Sequence, residues 1–243
     1  MNKLPKKELR EDVKFKLGNT EFRFFLHDDY KENFPSEFEI TYQILVDHLF
    51  DKGTKEVILD IGTRDGDSIF PFVAALNDMN KEGEIIAFEP SEEFAWLQKN
   101  MDVNNIKNIT LNNFAISDVD GEVEFVWDEN SRNGGLNHKI SQIAPWNSKR
   151  TFQSVSFKNF DKALKEKVKR ATFIKVDTEG SDFIVLNQLI DIVKENKPTL
   201  MIENWPFTQQ HIINFAFQFG YRVYNEKMQP NMIDTHNLFL VSI

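Results

Sequence analysis

The chain has 243 residues, 41% of them hydrophobic, which allows one full domain with a sizeable core or one domain plus a small extension. A net charge of -9 with 28% charged residues is ordinary globular composition without the basic footprint of a nucleic-acid binder. The absence of cysteine excludes disulfides, thiolate metal sites and a cysteine nucleophile.

The opening residues, MNKLPKKELREDVKFK, are basic with no apolar stretch behind them. No run approaches the roughly 20 apolar residues of a membrane span. These features predict a cytoplasmic protein with no membrane span. VKFKLGNTEFRFFLHD (13–28) alternates apolar and polar residues around Gly18-Asn19 and predicts a β-hairpin. FEITYQILVDHLFDKG (38–53) sets Phe38, Tyr42, Leu45, Val46 and Leu49 at helical spacing, with Gly53 as a C′ residue. EVILDIG (56–62) is a short buried strand. A helix over 67–80 follows, with Pro71 tolerated in its early turns. GEIIAFEP (83–90) is a second buried strand, and 91–105 a helix with Ser91 as N-cap. NITLNNFAI (108–116) is a third strand.

The alternation then breaks. Residues 121–157 read as hairpin strands around a long loop. A helix near 159–170 carries the basic run KEKVKR, which reads as a solvated face. After it come the strand ATFIKVD (171–177), one helix over 181–196 and the strand PTLMIEN (198–204). A helix at about 207–219 and the strands YRVYNE and HNLFLVSI end the chain. The 23 phenylalanines are expected to fill the core. Strands alternating with helices argue for an α/β, doubly wound, mostly parallel sheet. Such sheets bind ligands at the carboxyl ends of their strands. Asp60, Glu89, Asp177 and Glu203 each end a buried strand, so all four fall on one edge.

LDIGTRDGDS (59–68) is a strand, a glycine turn and a helix start. Gly62 and Gly66 let backbone approach a ligand, and a helix N-terminus favours an anionic group. The spacing is G-x-x-x-G, not the G-x-G-x-x-G of dinucleotide sites. Glu89, ending the second strand, can accept hydrogen bonds from two ribose hydroxyls. A glycine turn after strand one with an acid after strand two implies an adenosine-type ligand without pyrophosphate. FIKVDTEGSD (173–182) places Lys175 in an apolar strand, where it either pairs with a carboxylate or snorkels from an edge. Asp177 is either a site acid or a helix N-terminal acid.

The segments DIGTRDG, GEIIAFEPSEEFAWLQKNMDVNNIKNITLNNFAISDVDGEVEF, FIKVDTEGSDFIVLNQL and PTLMIEN together resemble the FkbM-type methyltransferases, class I S-adenosylmethionine-dependent enzymes. The resemblance covers roughly 56–204, and IKVDTEG is its most specific piece. It implies a Rossmann-like methyltransferase domain over 56–243, with residues 1–55 as an N-terminal hairpin-helix extension. It implies that Asp60, Gly62, Thr63 and Gly66 surround the methionine half of the cofactor, that Glu89 holds the ribose, and that Asn113, Phe114 and Ala115 flank the adenine. Asp177 and Glu179 would face the reacting hydroxyl, with Lys175 beside them. The family usually has Ala-Asn where this chain has Thr63-Arg64. Arg64 is then free to pair with Asp65 or Asp67, or to point at an anionic substrate.

The resemblance implies O-methylation of a hydroxyl on a sugar of a glycan, glycolipid or secondary metabolite. Such a transfer needs an in-line oxygen and a proton acceptor. A second reading gives Asp177, Glu203 and Asn204 to a Mg²⁺ site like that of catechol-type O-methyltransferases, although Glu179-Gly180 stand where those enzymes carry a lysine. Trp127 and Trp146 of the insert either stack on a sugar or sit in a satellite core, and His138 reads as a plain loop histidine. Glu37 and Glu39 are placed near the cofactor. The N-terminal hairpin either covers the substrate or forms a homodimer contact. Two rivals stand beside this reading: an NAD-linked oxidoreductase, and a non-catalytic member that binds a glycan or partner protein.

Overall fold

The computed structural model describes residues 10–26, 34–50, 55–128, 134–136, 148–230 and 235–243. The chain begins with the expected hairpin. β1 (Glu11–Leu17) and β2 (Thr20–Leu26) pair antiparallel from Leu17↔Thr20 to Glu11↔Leu26, with Gly18 at φ 53 in the turn. α1 (Ser36–Ile44) follows and runs into a π-helical turn, Leu45–Leu49, closed by Phe50 N–H donating to Leu45 O at 2.9 Å. Gly53 lies outside the described residues.

The repeating strand-helix units come next: β3 (Glu56–Ile61), α2 (Ile69–Asp78), β4 (Gly83–Phe88), α3 (Phe94–Val103) and β5 (Ile109–Asn112). The insert contributes β6 (Ala115–Ile116), β7 (Gly121–Trp127), β8 (Gly134–Leu136) and β9 (Ser148–Val155). Then follow α4 (Lys162–Val168), β10 (Phe173–Val176), α5 (Asp182–Gln188), α6 (Ile190–Asn196), β11 (Thr199–Glu203), α7 (Gln209–Phe219), β12 (Tyr221–Tyr224) and β13 (Asn237–Ser242).

Seven strands form one sheet in the order β12-β13-β11-β10-β3-β4-β5. The pairs from β11 to β5 are parallel, while β13 is antiparallel to both its neighbours. This is the expected doubly wound α/β architecture. Its chain order reverses between β3 and β10, where the crevice of such a sheet opens. β3 is buried at every position because helices cover both faces. On one face Leu59, Ile61 and Ile174 pack with α5, α6 and α7; on the other Ile58 and Ile85 pack with α2 and α3.

The hairpin joins that second face. Phe70 of α2 lies 5.3 Å from Phe15, 5.1 Å from Phe22 and 5.2 Å from Phe24, centroid to centroid. Phe24 is 0% exposed. The N-terminal segment therefore shares one core with the sheet.

Two expected elements are divided. The strand expected over 108–116 stops at Asn112, and Ala115–Ile116 leaves to pair with β9 in the four-stranded insert sheet. Between them the Asn113 amide donates to Glu89 O and the Phe114 ring packs 5.6 Å from both Phe88 and Phe160, which turns the chain. The helix expected over 181–196 breaks at Leu189, whose N–H is shared between Val185 O and Leu186 O. Leu189 is fully buried, and the break lets both short helices face the core. Neither glycine nor proline marks it in the sequence.

Candidate active site

The loop after β3 is organised by its own backbone. Gly62 and Thr63 N–H both donate to Phe88 O, joining the ends of β3 and β4. Thr63 Oγ1 donates to Asp60 O at 2.8 Å, and Gly66 N–H to Thr63 O at 3.0 Å. Gly62 has φ 83, and a Cβ there would meet Asp177 O at 1.7 Å; Gly66 has φ 98, and its Cβ would meet Met101 at 2.8 Å. Both glycines are thus demanded by protein neighbours as well as by loop shape. Arg64 sits at φ 52, a conformation that favours Asn or Gly, which gives a backbone reason for the asparagine usual at that point of the resembling family.

Glu89 is buried at the end of β4. Its Oε2 accepts from Arg64 N–H and its Oε1 from Ser91 N–H, each at 2.8 Å. Burial raises its pKa, opposed by the Ser91 hydroxyl, the two backbone N–H groups and the Arg64 charge. A carboxylate has about four lone-pair sites, so capacity remains for a ligand hydroxyl.

Asp60 lies beneath the loop, fully buried. Its Oδ2 accepts from Ser68 Oγ at 2.5 Å, and its Oδ1 is 3.8 Å from Lys175 Nζ. Burial pushes its pKa up to about 6, with Lys175 and Ser68 opposing. Lys175 is 6% exposed and also donates to Asp177 at 3.0 Å. Burial alone would discharge it, but the Asp177 and Asp60 carboxylates reverse that effect and hold it firmly protonated. Pairing, rather than snorkelling, explains a lysine in this strand.

Beyond β10 the segment DTEGSD makes a tight turn, with Glu179 at φ 53 and Gly180 at φ 86. Asp182 closes it by accepting from Thr178 N–H at 2.9 Å and Thr178 Oγ1 at 3.0 Å. A non-glycine residue held left-handed here is costly, on the order of 1–3 kcal/mol. The turn aims Glu179 at Asp177 and at Glu203 of β11. One carboxylate oxygen of each lies within 4.8 Å of the others. Burial, then repulsion from Asp177 and Asp182, pushes Glu179 up to about 8. The same causes, with Glu179 added, hold Glu203 well above the carboxylate range. Asp182 rises to about 7, chiefly through burial.

Two cavities meet at these acids. The first, about 210 Å³, is walled by Gly62, Glu89, Ala115, Trp127, Phe152 and Glu179, among others. The second, about 290 Å³, is walled by Glu37, Thr41, Lys175, Met201, Glu226 and His236, among others. Asp67, Asp177 and Glu203 line both.

The expected site residues therefore fall into several groups. Gly62, Glu89, Ala115, Asp177, Glu179 and Glu203 line a cavity, as does Arg64. Asp60, Thr63 and Gly66 shape the loop from behind. Asn113 and Phe114 serve the Glu89 carbonyl and the core, respectively. Asn204 faces elsewhere: its amide donates to Thr235 O at 3.0 Å and accepts from Gln209 at 3.1 Å. Glu179 stands beside Asp177 and Glu203.

The Arg64 charge offsets burial at Asp65, Glu89, Glu93 and Glu179, so it serves the local acids. Trp127 is 3% exposed, yet its ring, edge-on to Phe152 at 5.3 Å, lines the first cavity. Glu37 borders the second cavity, and no described hairpin residue lines either one. Trp146 and His138 lie outside the described residues. Phe125, Leu136 and Phe152 also wall the first cavity; sequence reasoning set the insert over the site but did not single out these residues, whose places depend on tertiary contacts. One such contact is Leu136 N–H donating to Ser181 Oγ at 2.9 Å.

No curated protein matches the chain. Among solved structures, a methyltransferase FkbM from Methylobacillus flagellatus is similar at a TM-score of 0.53 and 18% identity, covering 82% of this chain. This chain spans about half, 47%, of that protein's length. An S-adenosyl-L-methionine-dependent methyltransferase of Methanococcus maripaludis is similar at a TM-score of 0.46 and 11% identity, covering 88% of this chain and 89% of its own. No described helix is long and apolar enough to cross a membrane. The family described as Methyltransferase FkbM domain matches residues 60–223, well over half of the sequence and the whole span from Asp60 to the last helix. On that match the chain belongs to the FkbM methyltransferases, a family of S-adenosylmethionine-dependent enzymes.

Proposed function

We propose that this protein transfers a methyl group from S-adenosylmethionine to a hydroxyl oxygen, and that the acceptor is a sugar in a glycan, glycolipid or secondary metabolite. One observation carries the reading: Asp177 and Glu203 stand on the shared wall of the two cavities, with Glu179 beside them. The first cavity would take the cofactor and the second the acceptor. The cofactor supplies an electrophilic methyl on a sulfonium. Glu89 would hold the ribose through its remaining acceptor capacity, and Ala115, Ile116 and Trp127 would border the base.

The acceptor oxygen needs to lose its proton as it attacks. Glu179 suits that role, because a base with a pKa near the working pH accepts protons most effectively. Asp177, fixed by Lys175, would orient the hydroxyl. Glu179 would take the hydroxyl proton as the acceptor oxygen gains the methyl, the cofactor being left as a neutral thioether. Carboxylates at Glu37, Asp67 and Glu226 give the acceptor cavity many hydrogen-bond acceptors, which suits a hydroxyl-rich molecule.

A second reading is favoured by the convergence of the three carboxylates. Their hard oxygens suit Mg²⁺, which Asp177, Glu179 and Glu203 would hold and which would lower the pKa of a bound hydroxyl. Glu179 and Glu203, raised by burial and by repulsion from neighbouring carboxylates, fit a group that brings positive charge.

The test is calorimetric titration with S-adenosylhomocysteine, with NAD⁺ as control and an Asp60→Ala, Glu89→Ala variant alongside. Binding that the variant loses is the expected result, followed by methylation of sugar acceptors with and without Mg²⁺. A folded protein that ignores millimolar S-adenosylhomocysteine contradicts the reading; NAD⁺ binding would favour an oxidoreductase. Binding without turnover, unchanged by alanine at Asp177 or Glu179, would favour a non-catalytic member.

A further inference from the structure

We propose that Arg10 is a positioning residue for the loop over Gly62–Gly66, and that the N-terminal hairpin is thereby part of the cofactor site. The proposal rests on the reading that the first cavity takes S-adenosylmethionine.

Arg10 reaches from the start of the hairpin into the interior. One guanidinium nitrogen donates to the Asp65 carboxylate and the other to the Glu93 carboxylate. The group lies 4.6 Å over the Trp96 ring. The Arg10 side chain is 1% exposed and both acids are 0% exposed. A planar fork suits this bridging of two carboxylates, which a lysine cannot reproduce.

The two acids sit on the two segments that hold Glu89. Asp65 follows Arg64, whose N–H donates to Glu89 Oε2. Glu93 follows Ser91, whose N–H donates to Glu89 Oε1 and whose Oγ accepts from Glu93 N–H. Arg10 therefore fixes the distance between the two backbone donors that grip the site carboxylate. A second link from the hairpin reaches the same loop. Phe25 N–H donates to Asn100 Oδ1 at 3.0 Å, and Asn100 Nδ2 donates to Asp65 O at 2.8 Å.

Without the guanidinium, two buried carboxylates would face each other with their nearest counter-charge removed. Either they separate or they take up protons. Among the described residues, the charged groups that act on them include Arg10, Arg64, Asp67 and each other. Burial already raises both, Glu93 to about 7, with Arg10 the first opposing charge. Its removal moves both further up, so the damage is greatest where the acids are driven to ionise, at alkaline pH.

The experiment is S-adenosylhomocysteine titration of the full chain, as wild type, Arg10→Met and Arg10→Lys, at pH 6 and pH 8. Arg10→Met is expected to bind about tenfold more weakly than wild type at pH 8 and only about twofold more weakly at pH 6. Arg10→Lys is expected to recover part of the loss. A triple variant, Arg10→Met with Asp65→Asn and Glu93→Gln, removes the buried charges together and is expected to bind within about threefold of wild type at both pH values. It also serves if Arg10→Met alone does not fold. Wild-type affinity for Arg10→Met at pH 8 overturns the proposal. So does a deficit that ignores pH and is not repaired in the triple variant, since that pattern marks general destabilisation. Failure of the wild type itself to bind overturns the cofactor reading instead.

Discussion

The two acid-rich loops at the carboxyl edge of the sheet are built on opposite plans. Around the loop after β3, each acid has a defined counterpart: Asp65 and Glu93 share Arg10, Asp60 has Ser68 and Lys175, and Glu89 accepts two backbone N–H groups. After β10 and β11, Asp177, Glu179 and Glu203 converge with Lys175 as the one cation bonded to the group among the described residues. The first arrangement is stiff because its charges are compensated. Burial raises proton affinity in both, and in the second Glu179 and Glu203 are raised further by repulsion from neighbouring carboxylates. Strand ends of similar composition thus differ in their partners, and the proposed division into a holding end and a reactive end rests on which cations the fold delivers to each.

That contrast can be broken first at the reactive end. Asp177→Asn and Glu179→Gln are each expected to lower kcat by about 10²–10⁴-fold, the usual contribution of a general base. S-adenosylhomocysteine affinity should stay within about threefold, since neither residue grips the ribose. Affinity falling in parallel with kcat would erase the distinction. Replacing a core residue beneath the holding end sharpens it. Phe24→Ala, at a fully buried ring against Phe70, is expected to cost about 3–5 kcal/mol in denaturant unfolding. A loss below 1 kcal/mol would mean that the hairpin is not integral to the core.

At the holding end, Glu89→Gln replaces an acceptor of two N–H groups by a side chain that must turn an NH₂ toward one of them. S-adenosylhomocysteine affinity is expected to fall about tenfold or more, with little change in the melting temperature. A smaller effect, a few degrees, is expected from pH. Asp60, Asp182, Glu93 and Glu179 have folded-state values of about 6, 7, 7 and 8, above their ordinary values of 3.8 or 4.5. The folded chain therefore holds more protons than the unfolded chain across this window. Stability is full below about pH 4 as far as these groups are concerned, and is lost as pH rises through 6 to 8. Melting curves from pH 5 to 8 should move downward, and millimolar Mg²⁺ should offset part of the shift at pH 8 if the three carboxylates bind it. A flat profile would show that the acids are better compensated than the geometry indicates.

Much of the fold was legible in the sequence because it is locally encoded. Buried runs such as EVILDIG and GEIIAFEP, alternating with helical periodicity, leave few topologies open. The hairpin around Gly18-Asn19 was equally plain. The break at Leu189 and the division at Asn113-Phe114 were not, because each follows from a buried side chain finding its place in a core assembled from distant segments. The site was legible to the same depth. Asp60, Glu89, Asp177 and Glu203 announce themselves as acids ending apolar strands, whereas the approach of Glu179 to Asp177 and Glu203 depends on a left-handed backbone turn that the sequence pattern does not mark.

By itself the sequence determined the sheet's strand-helix rhythm, the acidic edge and the family, because hydrophobic periodicity and short motifs act over neighbouring residues. Only the tertiary structure decided which acids are neutralised. Arg10 meets Asp65 and Glu93 across separations of 55 and 83 residues, and Lys175 meets Asp60 through the register of two parallel strands. Charge compensation is a property of distance in space, and chain order carries no record of it until the core has closed.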